Sequence, residues 1–302
     1  MNPHRYMVFG FHGSGKSTFA AALWHLLDSR ELQTALEKGK HSGDFRYLEE
    51  IAQSWSEGWE VERTKSDQVE DIAINLRHPQ SATDLTLEFT DLPGERFEAA
   101  FANRLCSAEL IELVNDSSGM LLFVSADRNI DGVTILDALG SDDSDDEAEE
   151  ELPSTADNPA TDVASGEDSP WIPERTPLQV QIVDLLEAMQ RPPFETSASR
   201  VAIIVSAWDL TDEESADDWL AKRMPLLQQY LANTRGPSDV RVYGVSAQGG
   251  RLSKKESGPG PDRARLLQVQ PPSHRIKITG REVAPHDLTC PLLWLGGWTT
   301  KL

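Results

Sequence analysis

Residues 5–18 read RYMVFGFHGSGKST. An apolar run ends at Gly10, residues 10–17 match the spacing G-x-x-x-x-G-K-[ST], and a helical pattern on Phe19, Leu23 and Leu27 follows at once. This strand-loop-helix order suits a phosphate site. The glycines let backbone N–H groups turn inward around phosphate oxygens, and the helix N-terminus adds partial positive charge. Lys16 reaches the terminal phosphates and the Ser17 hydroxyl can ligate Mg²⁺. Gly13, Ser14, Gly15, Lys16, Ser17 and Thr18 are therefore expected to line the site.

Outward from this loop, short apolar runs alternate with helical patterns. The runs are Arg5 to Gly10, Leu85 to Asp91, Gly119 to Ala126, Val201 to Ser206 and Val240 to Ser246. Helices are expected over Lys16 to Leu27, Phe45 to Trp55, Glu98 to Val114, Pro177 to Met189 and Glu213 to Leu231. Such alternation predicts an α/β fold with a mostly parallel sheet and helices on both faces. Ile72, Ile74 and Leu76 alternate with Ala73, Asn75 and Arg77, which reads as a half-exposed strand. Paired with Leu85, Leu87 and Phe89 through the turn-rich His78 to Thr83, it gives one antiparallel edge.

The 302 residues carry 28 Lys/Arg against 50 Asp/Glu, a net charge of −22 that repels phosphate backbones and disfavours nucleic-acid binding. Two cysteines, Cys106 and Cys290, are too few for a disulfide framework or a Cys-rich metal site. Seven scattered histidines without H-x-x-x-H spacing argue against zinc chemistry. The start, MNPHRYMVFG, lacks a long apolar core, and no stretch approaches the roughly 18 apolar residues of a membrane helix, so a soluble cytoplasmic protein is expected. Twelve Asp/Glu and no Lys/Arg lie between Gly140 and Pro170, in a segment with almost no large apolar side chains. Such a segment is expected to be disordered. The expected layout is one nucleotide-binding domain over 1–250, interrupted by this acidic insert at about 138–172. A Gly/Pro-containing basic loop over 251–285 follows, and then a C-terminal helix within 286–302 that packs on the same domain.

Three further stretches carry chemistry. Asp91-Leu92-Pro93-Gly94-Glu95 follows the strand Leu85 to Thr90, at the strand end where ligands bind in open α/β sheets. Asp91 suits a carboxylate that steadies Mg²⁺, and Gly94 can offer its N–H to a terminal phosphate because no side chain blocks the approach. Asp209 ends the strand Val201 to Ser206, and Ser246-Ala247-Gln248 ends the next. A carboxylate at the first can accept both N–H groups of guanine's Watson–Crick edge, and a backbone N–H near Ala247 can donate to its O6. The same Asp209 can instead cap the helix starting near Asp212.

These stretches, GFHGSGKS at 10–17, DLPGE at 91–95, SAWD at 206–209 and SAQ at 246–248, together with HDLTCPLLWL at 286–295, resemble the translation-factor-related class of P-loop GTPases. Among these the chain looks most like the bacterial double-GTPase domains of conflict and signalling systems. The resemblance implies a G-domain-like sheet, GTP and Mg²⁺ at the strand ends, and a molecular switch that acts on a partner protein. It further implies a threonine that closes over Mg²⁺, for which Thr64 is the candidate, and a role for Lys16, Gly94 and Glu95 around the γ-phosphate. Three positions depart from the pattern. Asn-Lys-x-Asp is replaced by Ser206-Ala207-Trp208-Asp209, Glu95 stands where many relatives carry a Gln, and His12 occupies a position that is often Gly. A carboxylate at 95 is repelled by the γ-phosphate, so slow turnover is expected. The departures leave two alternatives open, a nucleotide-binding interaction module with little hydrolysis and a P-loop ATPase. Deleting Gly140 to Pro170 should leave melting temperature and nucleotide affinity nearly unchanged; a large fall in Tm would show that the insert is folded into the domain.

Overall fold

Gly119–Ser125 and Arg200–Ser206 have no polar face to turn toward water, and they lie side by side in the middle of an eight-stranded sheet. The structure is a computed structural model that describes residues 4–40, 45–61, 72–89, 100–127, 176–196, 198–233 and 239–299. In chain order the strands are β1 (His4–Phe9), β2 (Glu37–Lys38), β3 (Ile72–His78), β4 (Thr83–Phe89), β5 (Gly119–Ser125), β6 (Arg200–Ser206), β7 (Asp239–Ser246) and β8 (Lys277–Thr279). Their spatial order is β2-β3-β4-β1-β5-β6-β7-β8. The five strands from β4 to β7 run parallel, and the β3–β4 hairpin forms the expected antiparallel margin with Ile74 opposite Leu87.

The helices are α1 (Lys16–Ser29), α2 (Arg46–Ser56), α3 (Ala108–Asp116), α4 (Leu178–Ala188), α5 (Ala216–Arg223), α6 (Pro225–Asn233), α7 (Arg263–Leu267) and α8 (Cys290–Leu295). They cover both faces, and strand alternation assigns residues to each. Tyr6, Val8, Leu121, Phe123, Ala202 and Ile204 pack beneath α1, α2 and α8. Met7, Phe9, Leu122, Val124, Ile203 and Val205 pack beneath α3 to α6. Among the described residues, no helix is long and apolar enough to cross a membrane.

Two expected helices are each divided. The stretch Glu98 to Val114 is broken between a helical turn at 100–103 and α3, where Arg104 takes φ 56° and the Ser107 hydroxyl accepts the Leu110 N–H at 3.3 Å to restart the helix. Glu213 to Leu231 becomes α5 and α6 because Pro225 has no N–H and excludes the helical conformation from Met224.

The basic stretch at 251–285, expected as a solvated loop, is structured. It contains α7 and β8, it buries Leu266, Ile276 and Ile278, and β8 adds an antiparallel strand to β7 with Ser246 opposite Lys277. Those apolar residues were diluted by charge in the sequence, so burial outweighed composition. Arg275, only 3% exposed, closes the C-terminal end of α2 by donating to the carbonyls of Trp55 (3.3 Å) and Ser56 (3.0 Å). Burial pulls its guanidinium pKa down from the ordinary value, and the charge of Glu31 opposes that shift.

Within 286–302 the helix is short, because Asp287 and Thr289 are used in a turn. Asp287 accepts the Ala35 N–H at 2.7 Å and the Thr289 N–H at 2.8 Å, while the Thr289 hydroxyl accepts the Leu36 N–H at 3.1 Å. This turn ties the C-terminal end of the fold to the segment leading into β2. Asp287→Ala should therefore cost about 3 kcal/mol in urea denaturation, since each buried donor left unmade costs about 1–3 kcal/mol. A loss under about 0.5 kcal/mol, the range of an ordinary surface change, would show that these bonds do not hold the fold.

Candidate functional site

The loop after β1 turns into α1 against the ends of β5 and β6. Gly15 has φ +90°, and a Cβ there would lie 2.8 Å from the Ser206 side chain. At Gly10 a Cβ would lie 2.6 Å from the Phe123 carbonyl oxygen. Any larger residue forces the loop off the strands that carry it. The Lys16 ammonium folds back over the loop and donates to the carbonyls of Gly10 (2.6 Å) and Phe11 (3.1 Å). Its position is thus set before any ligand arrives.

The loop forms one end of a cleft of about 590 Å³ that also runs past the ends of β5, β6 and β7. His12, Gly13, Ser14, Gly15, Lys16, Ser17 and Thr18 line it, and so do Asp209 and Ala247. Every described site residue foreseen in the sequence except Ser246 thus meets in one space. Ser246 stands behind the wall. It is 1% exposed and its Oγ accepts the Gly249 N–H at 3.0 Å, so its hydroxyl shapes the loop rather than facing the cleft. Thr64, Asp91, Gly94, Glu95 and the acidic insert lie outside the described residues.

Asp209 is exposed, in a short 3-10 turn of residues Trp208–Leu210. The next helix, α5, has its own cap, because the Ser215 hydroxyl accepts the Asp218 N–H at 3.3 Å. Trp208 is turned away into the core and lies against β7 so closely that a Cβ at Gly244 would stand 2.4 Å from its ring. It anchors the turn from beneath. Arg104 pairs with Asp184 on the surface and lies over the Phe101 ring, in an exposed ion pair away from the cleft.

The cleft also includes residues that motif reading missed, among them Glu60, Val61, Asp127 and Arg251. Arg251 reaches toward Asp127, with Nη2 3.9 Å from the carboxylate, and so spans from the β7 loop to the end of β5. Glu60 is brought there by a backbone bond, its N–H donating to the Ser253 carbonyl at 3.0 Å. Only the folded tail supplies that partner, so no local sequence pattern could have pointed to Glu60.

Solved structures with likeness to this chain include the following three. The Ski7 GTPase-like domain of S. cerevisiae bound to GTP shares 14% identity at a TM-score of 0.41, covering 82% of this chain and 43% of that one. A bacterial selenocysteine-specific elongation factor EF-Sec shares 11% at 0.34, covering 88% and 28%. Sup35 complexed with GDP shares 12% at 0.37, covering 89% and 45%. This chain therefore spans less than half the length of each of them. No curated protein matches the sequence. The family Double-GTPase 1 matches residues 7–295, nearly the whole α/β unit from β1 to α8 and every motif quoted above, and the chain belongs to that family.

Proposed function

We propose that this chain binds GTP with Mg²⁺ in the cleft, hydrolyses it slowly, and reports its nucleotide state to a partner protein of a bacterial conflict or signalling system. The observation that carries this reading is that the phosphate loop and Asp209 line one and the same cleft, in a chain of a GTPase family. A triphosphate laid along it puts its charge at the loop amides and Lys16 and its base at Asp209 and Ala247. Catalysis then rests on positioning and electrostatics rather than covalent chemistry.

The hydroxyls of Ser17 and Thr64 and the carboxylate of Asp91 are hard oxygen donors that suit Mg²⁺, and Ser17 lines the cleft beside Lys16. When bound, the ion neutralises charge on the β- and γ-phosphates. Lys16, already held by loop carbonyls, meets the phosphates with little loss of side-chain freedom. Gly94 takes the part of a γ-phosphate sensor, and Glu95 slows attack by repelling the charge it faces. The interaction-module alternative is motivated by Glu95 and by the departure of Ser206-Ala207-Trp208-Asp209 from Asn-Lys-x-Asp, and single-turnover phosphate release separates the two. The ATPase alternative needs Asp209 to be a helix cap, a task that Ser215 performs for α5.

Two substitutions test the reading. Lys16→Ala should weaken GTP binding sharply without unfolding the protein, because its charge serves the ligand; equal affinity in a titration of both proteins would refute it. Asp209→Asn exchanges an acceptor for a donor that suits the extra carbonyl of xanthine. It should weaken GTP at least about tenfold, from the loss of charge-assisted bonds, and improve XTP. Unchanged GTP affinity with no gain for XTP would leave the ATPase alternative standing.

A further inference from the structure

The loop that follows β7 is held from behind by a helix that carries none of the motifs. Trp55, on the last turn of α2 and 1% exposed, donates its indole N–H to the Ala247 carbonyl at 2.8 Å. An indole has one donor and no acceptor, so this is its single hydrogen bond to give. The carbonyl it holds belongs to the peptide joining Ala247 to Gln248. That peptide is trans, the cis bonds among the described residues being Pro192–Pro193 and Gln270–Pro271. In a trans peptide the C=O and N–H point in opposite directions. With the Ala247 carbonyl drawn inward to Trp55, the Gln248 N–H is turned outward, and both residues line the cleft while Trp55 does not. Among the described residues that N–H has no acceptor.

We propose that Trp55 is a positioning residue for base recognition: by holding the Ala247 carbonyl it aims the Gln248 N–H at the O6 of a bound guanine. The proposal rests on the GTP-binding reading above. Its rigidity comes from the tail. Arg275 fixes the end of α2 through the Trp55 and Ser56 carbonyls, and Arg263 donates to the Glu57 carbonyl at 3.0 Å while covering the Trp59 ring at 4.0 Å. On the other side the β7 loop is braced by Ser246 on the Gly249 N–H and by Arg265 on the Gly249 carbonyl at 3.2 Å. An amide held at this precision loses little freedom when it meets its acceptor.

The test compares GDP with 6-thio-GDP, which keeps the N1–H and N2 amino groups that Asp209 would read but replaces O6 by a weak sulfur acceptor. Wild type should prefer GDP. Trp55→Phe keeps a ring in the core and removes the N–H; it should lower GDP affinity about fivefold, the worth of one hydrogen bond. Its 6-thio-GDP affinity should be nearly unchanged, so that the preference collapses. Asp209→Asn should weaken both nucleotides alike. A Trp55→Phe protein that keeps the wild-type preference overturns the proposal, as does one that loses both nucleotides equally, which is what a merely structural role produces. If that variant does not fold, 3-benzothienylalanine at position 55 keeps the bicyclic shape without the N–H and gives the same readout. If wild type does not bind GDP, or Asp209→Asn changes neither nucleotide, the GTP reading itself fails and the proposal falls with it.

Discussion

The cleft exists because the backbone of the phosphate loop lies almost in contact with the strands beneath it. Gly10 sits on the Phe123 carbonyl and Gly15 on the Ser206 side chain, each nearer than any Cβ could come. That approach sets where the loop amides point and where α1 begins. It also places the ends of β5 and β6 beside the loop, so that Ser17 and Asp209 line the same cleft. The apolar strands serve this contact. A run such as Met120–Val124 is apolar on both faces because helices cover both sides of the sheet there.

On the other side of the cleft the tail does work that its composition hides. Its arginines look like solvated charge in a chain of net charge −22. In the fold, Arg263 and Arg275 face inward and complete the end of α2, while Arg265 and Asp262 brace the β7 loop, Asp262 accepting the Arg251 N–H at 2.8 Å. A cation at a helix C-terminus satisfies carbonyls that have no partner within the helix. Burying one is costly unless such acceptors are present, which accounts for the pairing of Arg275 with carbonyl oxygens.

The parts of this architecture that were legible in the sequence are those with local causes. The phosphate loop was visible because glycine spacing, lysine and the flanking strand and helix all occur within 14 residues, and the hairpin because Ile72, Ile74 and Leu76 keep a strict alternation. Pro225 and Ser107 also carried the helix breaks, although the apolar periodicity on either side masked them. What stayed hidden depends on distant partners. Trp55 meets Ala247 across 192 residues, Arg275 meets Trp55 across 220, and β8 needs β7 before three residues of tail can be a strand. The orientation of Ser246 was hidden for the same reason. Its motif marks a loop at the base end of the cleft, but which way a hydroxyl turns is decided by the acceptor or donor that the fold brings to it.

The turn at Asp287 and Thr289 has a consequence for how the protein is made. It reaches back 252 and 253 residues to Ala35 and Leu36, and α8 supplies Leu292, Leu293 and Leu295 to the core shared with α1. During synthesis β1 and α1 leave the ribosome well before α8, and the core they share with it stays incomplete until residue 295 has emerged. At about 5–20 residues per second that delay is on the order of ten seconds to a minute, longer than helices or hairpins take to form. The half of the sheet under α3 to α6 can close earlier. Until α8 arrives, the core that α1 shares with α2 and the early strands lacks Leu292, Leu293 and Leu295, so a nascent chain carries an incomplete apolar face beside the phosphate loop.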